Sequence, residues 1–281
     1  MALTQKSSRR IVHVVGGIVL FVLMVWTIAP LYWMVATSLK SNTEIFGPSA
    51  TLWPTAPTLE NYVTLFQKTN FQLYFRNSTI VALATVVLSL VISSLAAYAL
   101  TRLRFRGRRV LAQGLVYTYL MPSSLLFIPL LIIIRNVGLQ NTMEGLVLSY
   151  LGFTVPFCTW LLMGYFVSIP IELEESAMVD GCSRFGVLWR IVLPLTLPAL
   201  AIVAFFSFTL SWNEFIYASV LVTDATVRTI PTGIPDFVVA DTFFWGPMMA
   251  STLISTLPPL IVYFVFQRFL ISGLTLGAVK G

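Results

Sequence analysis

Few residues in this chain could do chemistry. There is a single histidine, His13, and there are two cysteines, Cys158 and Cys182. A serine-type triad needs a histidine beside its nucleophile, and a structural zinc site needs four Cys or His ligands. One His and two Cys supply neither. No Gly-x-x-x-x-Gly-Lys-[Ser/Thr] phosphate loop occurs. The carboxylates are more informative. Glu172, Glu174, Glu175 and Asp180 fall close together, and Glu214 stands alone inside a long apolar run. Such groups recognise partners by charge. The cluster could dock a basic surface, and an isolated intramembrane carboxylate marks by default a path or a partner.

The elements that must position these residues are membrane helices. Of 281 residues, 57% are hydrophobic and 10% are charged, against about 25% charged in an ordinary soluble domain. The net charge of +6 is no nucleic-acid footprint, because the basic residues sit in short gaps between apolar runs. A span needs about 20 apolar residues. Six such runs are present, at 11–36, 78–100, 110–134, 145–167, 195–222 and 248–270. Lipid offers the backbone no hydrogen-bond partner, so all six are expected to be helices. The fold class is all-α, a single transmembrane domain over 1–281 with no linker visible inside it. The first run follows Lys6, Arg9 and Arg10, as a signal peptide would, but it is longer than the 7–15 residues of a signal core and is expected to be retained.

The basic residues orient the spans. With the N-terminus inside, the inner segments hold Lys6, Arg9, Arg10, Arg102, Arg104, Arg106, Arg108, Arg109, Arg184, Arg190, Arg268 and Lys280, and the outer segments hold Lys40, Lys68, Arg76, Arg135 and Arg228. That bias places both termini in the cytoplasm of a multi-pass protein of the cytoplasmic (inner) membrane. Arg102–Arg109 reads mainly as a topology anchor, and could also hold anionic headgroups. Cys158 then lies in a span and Cys182 on the inner side, so no disulfide is expected between them. Segments 37–77 and 224–247 are long outer loops. In the first, Thr58 could cap a short surface helix starting at Leu59.

The inner loop, 168–194, is the most informative stretch. Pro170 suits a first helical turn, Glu172, Glu174 and Glu175 suit the positive helix end, and Gly181 suits a C-terminal stop. Leu173 and Ala177 lie four apart and share a face. Ser183 can cap a second helix running through Ile191 toward Pro194. A negatively charged inner loop runs against the usual bias. Physics leaves two readings open, a docking surface for a basic partner and a connecting helix with solvated carboxylates.

The stretch resembles the EAA loop of ABC importer permeases. It reads Glu175-Ser176-Ala177, then Gly181 four places on, then Ile191-Val192-Leu193-Pro194 ten places after that. Ser176 stands where the family usually has Ala, a change of one small residue for another. The resemblance covers nearly the whole chain. Ala96-Ala97-Tyr98-Ala99-Leu100 with the following Arg102-Leu103-Arg104-Phe105-Arg106-Gly107 is similar to the MalG-like carbohydrate permeases. So are Trp212-Asn213-Glu214-Phe215 and the ending 273–281, and more weakly Ser38-Leu39-Lys40 and Glu60-Asn61-Tyr62.

The resemblance implies a MetI-like permease fold with a cytoplasmic coupling helix and a first span wrapping the partner permease. It implies a permease that carries a carbohydrate inward, with no catalysis and no cofactor of its own. ATP and Mg would be bound by two partner ATPase subunits. A second, MalF-like permease and an extracytoplasmic solute-binding protein would complete the assembly in the lipid bilayer. Glu174, Glu175, Ser176, Ala177, Asp180 and Gly181 would form the coupling surface, with Glu175 pairing to a basic ATPase residue. The tail, with Gly277, Lys280 and Gly281, would reach into the ATPase interface unless it is merely a frayed terminus. The 224–247 loop would touch the binding protein.

Trp212, Asn213, Glu214, Met121 and Ser123 are candidates for the substrate pathway or gate. Ser124 and Pro129 lie nearby, and Pro122 permits a bend. Phe153, Phe157 and Trp160 read as packing. Glu214 has a rival role, pairing with the second permease or with this chain's own backbone. Within the family the solute could instead be glycerol phosphate, a polyol or a peptide. An ion-coupled carrier would need more buried charge than Glu214, and an intramembrane enzyme would need a nucleophile and base or a metal site.

Overall fold

The computed structural model describes residues 2–239 and 242–278, with the side-chain surroundings of 13–122, 125–239 and 242–269. The helices are α1 (Ala2–Ser38), α2 (Asn42–Ile45), α3 (Glu60–Lys68), α4 (Phe71–Arg102), α5 (Arg108–Leu120), α6 (Ser123–Asn136), α7 (Met143–Ser168), α8 (Ile171–Val179), α9 (Arg184–Val187), α10 (Leu193–Leu195), α11 (Leu197–Trp212), α12 (Ile216–Leu221), α13 (Ile230–Gly233) and α14 (Trp245–Ala278). A π turn, Leu188–Val192, joins α9 to α10. One small hairpin interrupts the helical pattern. In it β1 (Val238–Val239) pairs antiparallel with β2 (Thr242–Phe243).

Four helices are long and apolar enough to cross a membrane alone, over His13–Ser38, Phe71–Arg102, Met143–Ser168 and Trp245–Phe269. The other two expected spans are broken. The run expected as one helix over 110–134 is α5 and α6, bent by 107° at Met121–Pro122. A proline ring pushes the residue before it out of the α region, and Met121 is extended at φ −71°, ψ 133°. The run expected over 195–222 also departs from one helix. The segment 184–195 meets α11 at 82°, because Pro198 has no N–H to continue the ladder and Thr196 closes the preceding turn on Val192 and Leu193. At its far end α11 stops at Trp212, and α12 resumes at Ile216.

The chain forms two compact units. The first comprises residues 1–70 and 236–255. In it the Asn61 amide, 4% exposed, donates to the carbonyls of Ser38 (2.9 Å) and Lys40 (2.7 Å), and the Ser38 and Tyr62 hydroxyls share a hydrogen bond of 2.8 Å. The two weakest pieces of the sequence pattern thus lock onto each other. Gly246 closes the fit, because a Cβ there would collide with the Asn61 amide. The α3 helix starts at Glu60, one residue later than expected, and the Thr58 hydroxyl accepts from the Glu60 N–H.

The second unit comprises 71–235 and 256–281. Two apolar clusters lie along α4 and α7. One gathers Ala97, Tyr98, Leu162, Phe166, Ala177, Val187, Val192 and Val203 around the C-terminal end of α4. The other gathers Val81, Leu146, Tyr150, Tyr217 and Leu221 toward its N-terminal end. Small hydroxyl residues let the helices approach, as membrane packing favours. Ser89 and Thr154 share a hydrogen bond of 2.9 Å between α4 and α7, and Cys158 and Ser207 share one of 3.2 Å between α7 and α11.

Candidate functional site

The acidic loop folds as its residues dictate. Pro170 stands at the N-cap of α8, one place earlier than a first-turn proline. At the other end Gly181 takes φ +87°, a conformation in which a Cβ is strained. Its N–H bonds the Met178 carbonyl at 3.1 Å, and the Cys182 N–H bonds the Ala177 carbonyl at 2.9 Å. These are the two bonds of a Schellman stop. Ser183 then caps α9 by accepting from the Gly186 N–H, and helical structure runs on to Leu195 as expected, with a π turn inside it.

The faces of α8 differ from the expectation in one respect. Ala177 is buried, but Leu173 is 45% exposed, and Glu174 is the side chain that turns inward, at 3% exposed. Glu174 is therefore no part of an outward surface. Its Oε1 pairs with Arg102 Nε at 2.5 Å, and its Oε2 accepts from the Tyr98 hydroxyl at 3.3 Å. Arg102 also donates from Nη2 to the carbonyls of Phe166 (2.7 Å) and Ile169 (2.8 Å). Arg102 thus does more than anchor topology. Glu175, Ser176, Asp180 and Gly181 face outward, with Leu173 and Val179 (88% exposed) among them and Phe185 and Trp189 exposed on the following helix. No group lies within 4 Å of where a Gly181 Cβ would stand. The result is an acidic, apolar-studded ridge with room for close approach.

The pathway candidates collect at the helix breaks. Met121 closes α5 and is 46% exposed. Ser123 opens α6, and its side chain lies outside the described set. Trp212 is packed away, 3% exposed, stacked on Phe208 at 5.4 Å and edge-on to Phe75 at 5.6 Å. Asn213 is exposed and its amide donates to the Thr209 carbonyl. Glu214 does not sit within a continuous span. Its two oxygens accept from the N–H groups of Tyr217 (2.9 Å) and Ala218 (3.0 Å), so the carboxylate caps α12. That geometry fits the own-backbone role. The Tyr150 hydroxyl is fully buried in α7 and makes no hydrogen bond among the described residues.

Phe153 packs on Tyr150 and Tyr217, and Phe157 on Phe206. Lys280 and Gly281 lie outside the described residues, as does the side-chain environment at Gly277.

Sequence reasoning singled out Arg102 and Tyr98 without seeing that they hold Glu174, and it missed Asn77 and Asn141. Asn77 donates to the carbonyls of Thr226 (2.8 Å) and Arg228 (2.9 Å). Asn141, at φ 58°, accepts from the N–H groups of Thr223 and Asp224. These partners lie from 64 to 151 residues away in sequence, beyond the reach of local periodicity. Asn141, which follows the turn residue Gly138, is the one with a signal: asparagine is among the few residues that tolerate a left-handed turn.

The family model for binding-protein-dependent transport system inner membrane components matches residues 89–275. The inner membrane ABC transporter permease protein YcjP of Escherichia coli is 36% identical over 99% of both chains. The trehalose/maltose transport system permease protein MalG of Thermococcus litoralis is likewise 36% identical over 99% of both. A chain of a bacterial ABC transporter that imports the acidic polysaccharide alginate superposes with a TM-score of 0.84 over 93% of this chain and 97% of its own. At 24% identity that likeness speaks to the fold. The chain belongs to the family of binding-protein-dependent inner-membrane transport components, as a multi-pass permease subunit of an ABC transporter that is not itself catalytic.

Proposed function

We propose that this chain imports a carbohydrate, and that α8 is the helix through which partner ATPases drive it. The ridge of Glu175, Ser176, Val179, Asp180 and Gly181 carries the docking half of the reading. It is exposed, acidic and held at a fixed angle, with open space above Gly181. Charge of this kind gives orientation and register to an interface more than raw affinity. Binding and hydrolysis of ATP and Mg would occur in two partner subunits. Glu175 would meet a basic residue there, and α8 would transmit their closure to the spans. The carbohydrate half is supported by two relatives at 36 and 37% identity, the trehalose/maltose permease and the diacetylchitobiose uptake permease of Streptomyces coelicolor.

In this reading the loop 168–194 and both termini face the cytoplasm, and the tail through Gly277, Lys280 and Gly281 approaches the ATPase interface. A second permease would complete the pathway, with Met121, Ser123, Asn213 and Glu214 at the broken helices beside it. Irregular backbone at membrane depth is tolerated where it is buried in protein or lines a water-filled cavity. The hairpin of β1 and β2 presents Val239 (56% exposed) and Phe243 (40%), a surface suited to the solute-binding protein.

The test is reconstitution. The complex purified in mild detergent should contain an ATP-binding subunit, a second permease and a solute-binding protein that takes up a sugar in calorimetry. Gly181→Asp should leave the permease chains folded and abolish ATP-driven uptake. Wild-type uptake by that variant would refute the docking surface, and a binding protein blind to sugars would refute the solute.

A further inference from the structure

The ion pair behind α8 deepens the coupling reading and rests on it. The helix is nine residues long, and isolated helices of that length are marginal. It is bounded by Pro170 and by Gly181 in a left-handed conformation, so no continuous helical ladder carries its direction into α7 or α9. Something else must fix its direction. We propose that Arg102 is the positioning residue that locks α8 to α4 and to the end of α7, so that force applied to the exposed face of α8 moves all three as one body.

The argument is geometric. One guanidinium binds three elements at once: α4, which carries it, α8 through Glu174 and the end of α7 through the Phe166 and Ile169 carbonyls. Tyr98, four residues before Arg102 on α4, fixes the second oxygen of Glu174, so that carboxylate cannot rotate. A planar fork with five donors can hold such a set, whereas a lysine is a point charge on a flexible stem. Both side chains are less than a tenth exposed. Apolar groups of similar volume would often stabilise such a site as well or better, so the pair is poorly explained by stability alone. What it supplies is direction. Without it α8 would still pack through Ala177, but could pivot about the Ile169–Pro170 and Gly181 ends and absorb the movement of its partner.

The joint can be read directly in the whole complex. Spin labels are placed at Ile92→Cys on α4 and Glu172→Cys on α8, with Cys158→Ala and Cys182→Ala removing the native thiols. The label distance is measured with and without ATP, beside uptake per ATP hydrolysed in proteoliposomes. In the parent the distance is expected to stay single and equally narrow in both states. Arg102→Lys should keep the ATPase bound and hydrolysing. Its label distance should broaden, and uptake per ATP should fall by about tenfold, the scale of a typical coupling energy. Glu174→Gln should fall between the two. A narrow distance and parental coupling in Arg102→Lys would overturn the proposal, as would a parent distance that shifts between the two states. Where Arg102→Lys fails to assemble, Tyr98→Phe carries the test. It removes one hydroxyl, and unchanged width and coupling there would also overturn the proposal. If α8 is no docking surface, no ATPase accompanies even the parent chain, while the label distance still reports the joint.

Discussion

The two ends of α4 hold the chain by different chemistry. At its C-terminal end Arg102 and Tyr98 grip a side chain, Glu174, across a buried ion pair. Near its N-terminal end Asn77 and Ser78 grip backbone. The Asn77 amide donates to the Thr226 and Arg228 carbonyls, and the Ser78 hydroxyl accepts from the Ile230 N–H at 2.9 Å. A neutral amide fastens a loop at modest cost and tolerates some slack. A buried charge pair is intolerant, because losing one member strands the other in a low-dielectric site. Under the proposed coupling, the end that would transmit force carries the intolerant device, and the end that seats a loop carries the tolerant one.

Four changes would break or sharpen that contrast. Glu174→Ala should have the largest effect, since it leaves the Arg102 charge buried without its partner. Loss of one member of a buried pair costs about 3–5 kcal/mol, visible as a lower melting midpoint of the detergent-solubilised chain and as hydrogen exchange rising across α8. Asn77→Ala should cost less, about 1–3 kcal/mol, because it leaves two part-buried carbonyls without their donor. Its exchange should rise over 223–230 while α8 stays protected. Gly181→Ala should cost about 1 kcal/mol, the penalty of a left-handed residue with a Cβ, with no added clash because the space is open. Its melting midpoint should therefore fall less than that of Asn77→Ala.

Acidification should have the smallest effect. The Thr226 backbone N–H, and after it the Thr226 hydroxyl, hold the Asp224 carboxyl below its usual range. A group with a lowered folded pKa stabilises above its unfolded value and loses that contribution as pH falls through its folded one. The protection factors in 223–230, taken relative to the intrinsic exchange rate at each pH, should therefore stay flat at neutral pH and fall only below about pH 4.

Much of this was legible in the sequence, for reasons that can be named. The α8 stop was readable because Gly181 and Ser183 each act on neighbours within six residues. The bend at Pro122 was readable because proline dictates the residue before it. The helix around Glu214 was read as continuous, because hydropathy averages across the break at 213–215 and cannot register a carboxylate turned to cap the next helix. Glu174 was placed on the wrong face, because an acidic residue in a first helical turn looks solvated until the guanidinium 72 residues earlier is brought beside it. Ser38-Leu39-Lys40 and Glu60-Asn61-Tyr62 were visible as patterns, but their mutual hydrogen bonds were not, since no local period links them.

The central claim is that the exposed face of α8 seats an ATP-binding partner, and photocrosslinking tests it most directly. A photoreactive residue in place of Ser176, on the outward face, should yield an adduct with an ATP-binding subunit when native membranes are irradiated. The same residue in place of Ile92 on α4 should not. Adducts from position 176 with lipid alone, or with no nucleotide-binding protein, would contradict the account.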